Sequence, residues 1–235
     1  MNETLLFGLL WIVITLGVAG SAAYLAKLRG SSVLIATYTG LVVISITTAT
    51  KMISFPLPFW GDVFVPAGVV VYSASFLITD LISEHYGKEK AQTAVWTGFF
   101  VMLSFFLYSW VTVEWKGAPF WNMQKSYEDI MGLSARIALA GAVAFIFSQL
   151  TDVTIYHLLK NRLGSGNVKI AIRNNVSTWI SQAIDTVVFI SIAFYGVFPI
   201  VELMIAQYIL KVIIAMFDTC FLIFGVSILR NAKED

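Results

Sequence analysis

Cysteine is nearly absent from this chain, with Cys220 the single example among 235 residues. One thiol excludes an intrachain disulfide and a cysteine-built zinc cluster. Cys220 lies in a long apolar run and is expected to be a small packing residue. Histidine is almost as scarce, and neither His85 nor His157 has metal-ligand neighbours at helical spacing, so no metal site is expected. No G-x-x-x-x-G-K-[ST] stretch occurs to cradle phosphates, and no H-E-x-x-H motif or Ser/His pair falls in an apolar run. ATP hydrolysis by this chain and intramembrane proteolysis are thereby excluded; neither an enzyme nor a bound cofactor is expected.

Charge is the other shortage. Only 12% of residues are charged, against about 25% in an ordinary soluble domain, while 58% are hydrophobic. A membrane span needs about 20 mostly apolar residues, and seven candidates lie near 5–27, 33–54, 63–83, 92–113, 134–159, 174–196 and 201–229. The connections, longest at 114–133 and 160–173, are too short for a soluble domain. The chain therefore reads as a single all-α integral membrane domain over 1–235. The first run has no basic n-region, with Asn2 and Glu3 ahead of it, so it reads as a retained span rather than a cleaved signal.

Orientation follows from alternate loops. With the N-terminus outside, one side carries Lys27, Arg29, Lys88, Lys90, Lys160, Arg162, Lys169, Arg173, Arg230 and Lys233, and the other only Lys116 and Lys125. That bias places the C-terminus and the basic loops inside, in the cytoplasm. Trp60, Trp110, Trp115, Trp121 and Tyr127 gather at the opposite boundary, where amphipathic rings favour lipid headgroups. The net charge of +1 points to no particular partner, and nucleic acid is not expected as one.

Against this apolar background one polar cluster occurs twice: Ser148-Gln149-x-x-Asp152 and Ser181-Gln182-x-x-Asp185. An ionisable side chain at a bilayer centre costs about 2.5–3.5 kcal/mol and usually faces the bundle interior in a functional role. Residues three, four and seven apart share a helix face, so Asn174, Thr178, Ser181, Gln182 and Asp185 form one stripe. Gln207, Lys211 and Asp218 form a second, and Thr47, Lys51 and Ser54 a third. Lys51, Arg136 and Lys211 are the cations in or near the spans. Their expected partners are Asp80, Asp152, Asp185 and Asp218, with Asp218 set to pair Lys211. Asp80, Ser83 and Glu84 share a face, with Gly87 placed to end that helix. Carboxylate beside carboxamide suits a planar ligand with an amino and carbonyl edge. Asp152 or Asp185 is expected to take the donor edge and Gln149 or Gln182 to read the rest, with Tyr72, Phe76 or Trp179 as stacking candidates.

The chain resembles the queuosine-precursor transporters, also called vitamin-uptake-type transporters. The resemblance rests on Pro66-Ala67-Gly68, Ile78-Thr79-Asp80-Leu81 to Tyr86-Gly87-Lys88, Ser134-Ala135-Arg136-Ile137-Ala138, Gln149-x-x-Asp152-Val153, Arg173-Asn174-Asn175-x-Ser177-Thr178 to Gln182-x-x-Asp185-Thr186, and Lys211-Val212. The chain departs from the family pattern at Ser73-Ala74-Ser75, where Pro-x-Thr or Pro-x-Ser is common. The resemblance implies a six-helix core over 33–229, similar to the substrate-binding subunits of energy-coupling-factor importers, preceded by an extra helix over 5–27. It also implies movement of 7-deazaguanine bases across the cytoplasmic membrane. Alternating access or facilitated diffusion is the mechanism expected, with proton exchange at one carboxylate, because four aspartates face only three basic groups. Asp80, Gln149, Asp152, Asn175, Gln182 and Asp185 are the implied substrate contacts. Arg136, Lys211, Asp218, Lys51 and Glu84 are the structural or coupling charges.

Two other readings compete. Small-residue faces at Ala19-x-x-x-Ala23 and Ala22-x-x-x-Ala26 would suit docking of a partner helix, making the chain a substrate-capture subunit with a separate energising module, or one copy of a homodimer. A lysine in the seventh span would suit a retinal protein, but the aspartate that microbial rhodopsins carry four residues earlier is Gln207 here.

Overall fold

The computed structural model describes residues 3–49, 51–57, 61–132, 135–196 and 200–229. Within these the chain is helical apart from one hairpin: α1 (Glu3–Arg29), α2 (Ser32–Thr48), β1 (Met52–Leu57), β2 (Gly61–Pro66), α3 (Val69–His85), α4 (Lys88–Glu114), α5 (Gln124–Met131), α6 (Ala135–Leu163), α7 (Asn167–Phe194) and α8 (Ile200–Leu229). Five of the helices (α1, α4, α6, α7 and α8) are long and apolar enough to cross a membrane. α2 and α3 are 17 residues each, about 25 Å of helix.

The surface is apolar, and the interior carries a buried column of polar residues beside its apolar core. Phe7, Val13 and Leu28 on α1, Phe100, Leu107 and Tyr108 on α4, and Ile205 and Phe224 on α8 are all exposed, whereas Ser75, Asp80, Ser148, Gln149, Asp152, Arg173 and Gln182 are fully buried. A continuous apolar exterior of that kind is lipid-facing. α6 and α7 make the most extensive helix pair, with α8 against α7 and α3. α1 lies across α2, α3 and α8.

The structure corrects several expectations. The spans expected at 33–54 and 63–83 are shorter, because an antiparallel hairpin lies between them, with Met52 opposite Pro66 and Leu57 opposite Gly61. Pro56 has no N–H to give a helix, and helix resumes only after Pro66. Lys51 consequently lies beyond the end of α2, exposed, with its carbonyl accepting from the Ala67 N–H at 2.8 Å; the stripe through Thr47, Lys51 and Ser54 does not form. Ala19, Ala22, Ala23 and Ala26 are buried, so the faces expected to receive a partner helix are covered by the chain's own helices. Cys220 is exposed rather than packed.

The connection at 114–133 contains α5, which turns back on α4: Gln124 donates to the Val113 carbonyl at 3.0 Å and Tyr127 to Thr112 at 2.8 Å. Trp115 and Phe120 stand exposed beside it, as an interfacial aromatic belt requires. Trp60 is outside the described residues.

Two glycines matter to the architecture. Gly87, at φ 86° and ψ 176°, takes a positive-φ extended conformation open essentially to glycine alone, and α3 stops there as expected. At Gly68 a Cβ would come 2.2 Å from the Ser45 carbonyl oxygen and 3.0 Å from the Ala49 nitrogen, so the start of α3 can approach the end of α2 only without a side chain. Gly68→Ala is expected to lower the melting temperature by the equivalent of about 1–3 kcal/mol. Gly141→Ala, with nothing within 4 Å of the new methyl, should melt like the parent.

Candidate functional site: a cavity and the polar column beneath it

The two Ser-Gln-x-x-Asp copies interlock. α6 and α7 run antiparallel, which brings the serine of each copy to the aspartate of the other: Ser148 Oγ lies 3.2 Å from Asp185 Oδ1, and Ser181 Oγ donates to Asp152 Oδ1 at 2.9 Å. The same register thus yields two buried carboxyl groups at different levels of the bundle. Their further companions differ.

Asp185 is the more completely held. Tyr72 of α3 donates to its Oδ1 at 2.7 Å, and Lys211 of α8 donates to its Oδ2. The Lys211 ammonium also stands 5.4 Å from the Tyr72 ring centroid. Four helices therefore converge on one carboxylate. This group faces a cavity of about 130 Å³ at the hairpin end of the bundle, walled by Ser45, Ala49, Pro66, Gly68, Tyr72, Phe145, Phe189, Gln207 and Lys211 among others. Short helices and irregular backbone around a cavity at membrane depth are where transporter sites are built. Tyr72→Phe keeps the ring and removes the donor; the lost bond to a charged acceptor is expected to cost about 1.5–3 kcal/mol, measured as a lower melting temperature.

Beneath the cavity the polar atoms are only partly satisfied. Gln149 donates to Ser75 at 2.9 Å while its Oε1 has no partner. Gln182, one turn from Asp185 and fully buried, has no hydrogen bond at either amide atom. A buried amide left unpaired costs about 1–3 kcal/mol.

Asp80 and Asp152 come next, both fully buried and held by neighbouring turns of α7: Thr178 donates to Asp80 Oδ2 at 3.5 Å and Ser181 to Asp152 Oδ1 at 2.9 Å, which sets the two carboxyl groups against each other. Two full negative charges about 4 Å apart repel by about 4 kcal/mol at an effective dielectric of 20, and no cation pairs with either among the described residues. Asn174 and Asn175 both donate to Thr219, at 2.9 and 2.7 Å. Asp218 is buried on α8 and has no ion pair among the described residues; the expected Asp218–Lys211 pair does not form, because Lys211 goes to Asp185.

At the basic-loop end the column closes. Arg173, fully buried, donates to Glu84 Oε2 at 2.6 Å and to the Gly164 carbonyl. Tyr156 donates to the same carboxylate at 3.2 Å and lies under the guanidinium, 5.6 Å away. Lys160 caps the end of α3 through the Ser83 and Glu84 carbonyls. This cluster ties α3, α6 and α7 together.

Of the residues singled out from sequence, Asp185, Lys211, Gln207 and Tyr72 meet at the cavity. Gln149, Gln182, Asp80 and Asp152 lie below it, and Asn175 lies toward α8. Phe76 is buried with its ring edge-on to Tyr72 at 5.7 Å, while Trp179 is on the outer face. The Arg136 side chain is outside the described residues. Sequence reasoning counted Arg173 as a loop cation; α7 begins at Asn167, one and a half turns earlier, and that extension carries Arg173 into the bundle. It also assigned Glu84 no partner.

No solved structure is significantly similar to this chain. It is 33% identical over 152 residues, 63% of its length, to a Bacillus subtilis (strain 168) protein named "Probable queuosine precursor transporter", and the match takes in 66% of that relative. Residues 66–225 match the family model described as "Putative vitamin uptake transporter". That match begins at the hairpin's last residue and takes in both carboxyl clusters, the Glu84–Arg173 closure and the cavity wall apart from its α2 residues, so this chain belongs to the family of putative vitamin uptake transporters and is a helical membrane protein.

Proposed function

We propose that this chain imports a 7-deazaguanine precursor of queuosine or archaeosine, such as 7-cyano- or 7-aminomethyl-7-deazaguanine, by alternating access across the cytoplasmic membrane. The observation that carries the reading is Asp185: a buried carboxylate on a cavity wall, oriented by Tyr72, Ser148 and Lys211. A guanine-type ring presents adjacent N–H donors that such a carboxylate accepts, and a carbonyl edge suited to Lys211 or a glutamine amide. The relative's name supports the substrate class. Gln182 and Gln149, with unpaired amide atoms below the cavity, form the next contacts as the base moves inward.

In this reading α1, α2, α3, α4, α6, α7 and α8 all cross the membrane, the hairpin and α5 lie outside, and the basic loops lie in the cytoplasm. The cavity is then the outward-facing site, and Glu84–Arg173 is the inner closure. Uptake of labelled 7-cyano-7-deazaguanine into liposomes containing only the purified chain tests the proposal. Saturable uptake is expected. Uptake that needs an added ATP-hydrolysing partner would make the chain a capture subunit instead.

A further inference from the structure

We propose that Asp80 and Asp152 form a proton-binding site, one proton held between two carboxyl groups, and that this is the ion exchanged as the substrate crosses. The second half rests on the transporter reading above; the first does not.

Three observations carry it. Both side chains are fully buried, and one oxygen of each, Asp80 Oδ1 and Asp152 Oδ2, has no hydrogen-bond partner. A single proton placed between two carboxyl groups supplies one donor to one acceptor, which satisfies such a pair. Second, the interlocked repeat puts Asp152 in the position related to Asp185, yet where Asp185 has the Lys211 ammonium, Asp152 has Asp80. A proton stands there in place of a fixed cation. Third, two buried hydroxyls without partners flank the pair: Tyr38 on the α2 side, electrostatically linked to Asp152, and Ser83, one turn from Asp80 toward the Glu84 closure.

The groups facing the pair are Tyr38 from α2, Glu84 from α3, Tyr156 from α6 and Thr178, Ser177 and Ser181 from α7. The nearby cation Arg173 is engaged by Glu84. Among the described residues no charged group of α8 acts on the pair. When the inner closure opens, the carboxyl O–H gives its proton to water, leaving two carboxylates that hydration stabilises. Reclosure requires a proton back from one side or the other.

The first test is infrared spectroscopy of the purified chain in lipid. In an Asp218→Asn background, which removes the other buried carboxyl group without a cation, a carboxylic-acid carbonyl band sensitive to exchange into D₂O is expected at neutral pH, and is expected to be lost when Asp80→Asn or Asp152→Asn is added. A band unchanged by both additions, or no band in the Asp218→Asn background, overturns the proton site. Should either addition fail to elute as a single species, loss of the background's band on raising the pH decides instead. The second test loads proteoliposomes with a pH-sensitive dye. Proton movement should accompany 7-cyano-7-deazaguanine uptake in the parent and fall to background in Asp80→Asn; uptake by the parent with no proton movement overturns the coupling. Absence of any uptake would count against the transporter reading, while the infrared result still decides the site.

Discussion

Lys211→Met is expected to destabilise the protein severely, by about 3–5 kcal/mol, because it leaves Asp185 as a buried charge without its cation. Lys211 is 1% exposed and Asp185 4%, so water cannot replace the lost partner without opening the bundle. Asp185→Leu alone strands Lys211 and should cost a similar amount. The double variant, with two apolar side chains of similar volume, is expected to recover most of that loss, since a buried pair replaced as a unit is often neutral. Melting temperatures of the four proteins give the coupling directly. Ligand binding should separate from stability: it is expected to be lost in all three variants, including the one that melts like the parent. Additive single effects would mean that the pair is not formed.

Glu84→Ala is the second large effect. Arg173 then keeps only the Gly164 carbonyl and the Tyr156 ring as its contacts, and the closed arrangement of α3, α6 and α7 loses about 3 kcal/mol or more. An open arrangement, in which Arg173 is hydrated, is favoured about a hundredfold as a result. Labelling reads this out. In a Cys220→Ser background, a thiol introduced at Thr178, which is 4% exposed, should be protected from a polar reagent in the parent and reactive from the basic-loop side in Glu84→Ala. A thiol at Ala49, exposed on the cavity wall, should lose reactivity from the hairpin side in the same variant. Unchanged labelling at both positions would show that Glu84 and Arg173 do not hold the bundle closed.

How far the sequence carried depended on whether a feature was local. Apolar runs are local, and the long helices lie close to where hydropathy put them. Shared helix faces are local too, so the polar stripes of α6 and α7 were legible. The hairpin was not: Met52–Leu57 and Gly61–Pro66 are apolar enough to continue the neighbouring spans, and only Pro56, Pro58, Gly61 and Pro66 spoke against helix. Partners were the least legible of all. Nothing in one copy of Ser-Gln-x-x-Asp says that its serine will meet the other copy's aspartate, because that follows from antiparallel packing. Nor does Lys211 show whether it will meet Asp185 or Asp218; the choice is set by which α8 face turns toward Tyr72. Arg173 was hidden because cation counting treats residues near a span's end as loop, whereas α7 starts early enough to carry it inside.

The most direct test of the central claim is binding of 7-cyano-7-deazaguanine to the purified protein, followed by thermal shift, with Asp185→Asn in parallel. A ligand recognised only by the folded state raises apparent stability, by about 2.7 kcal/mol at a hundredfold excess over its Kd. The account predicts saturable stabilisation of the parent and none in Asp185→Asn, with the variant still eluting as a single folded species. Equal stabilisation of both proteins would remove Asp185 from the site, and no response to any 7-deazaguanine would contradict the proposed substrate.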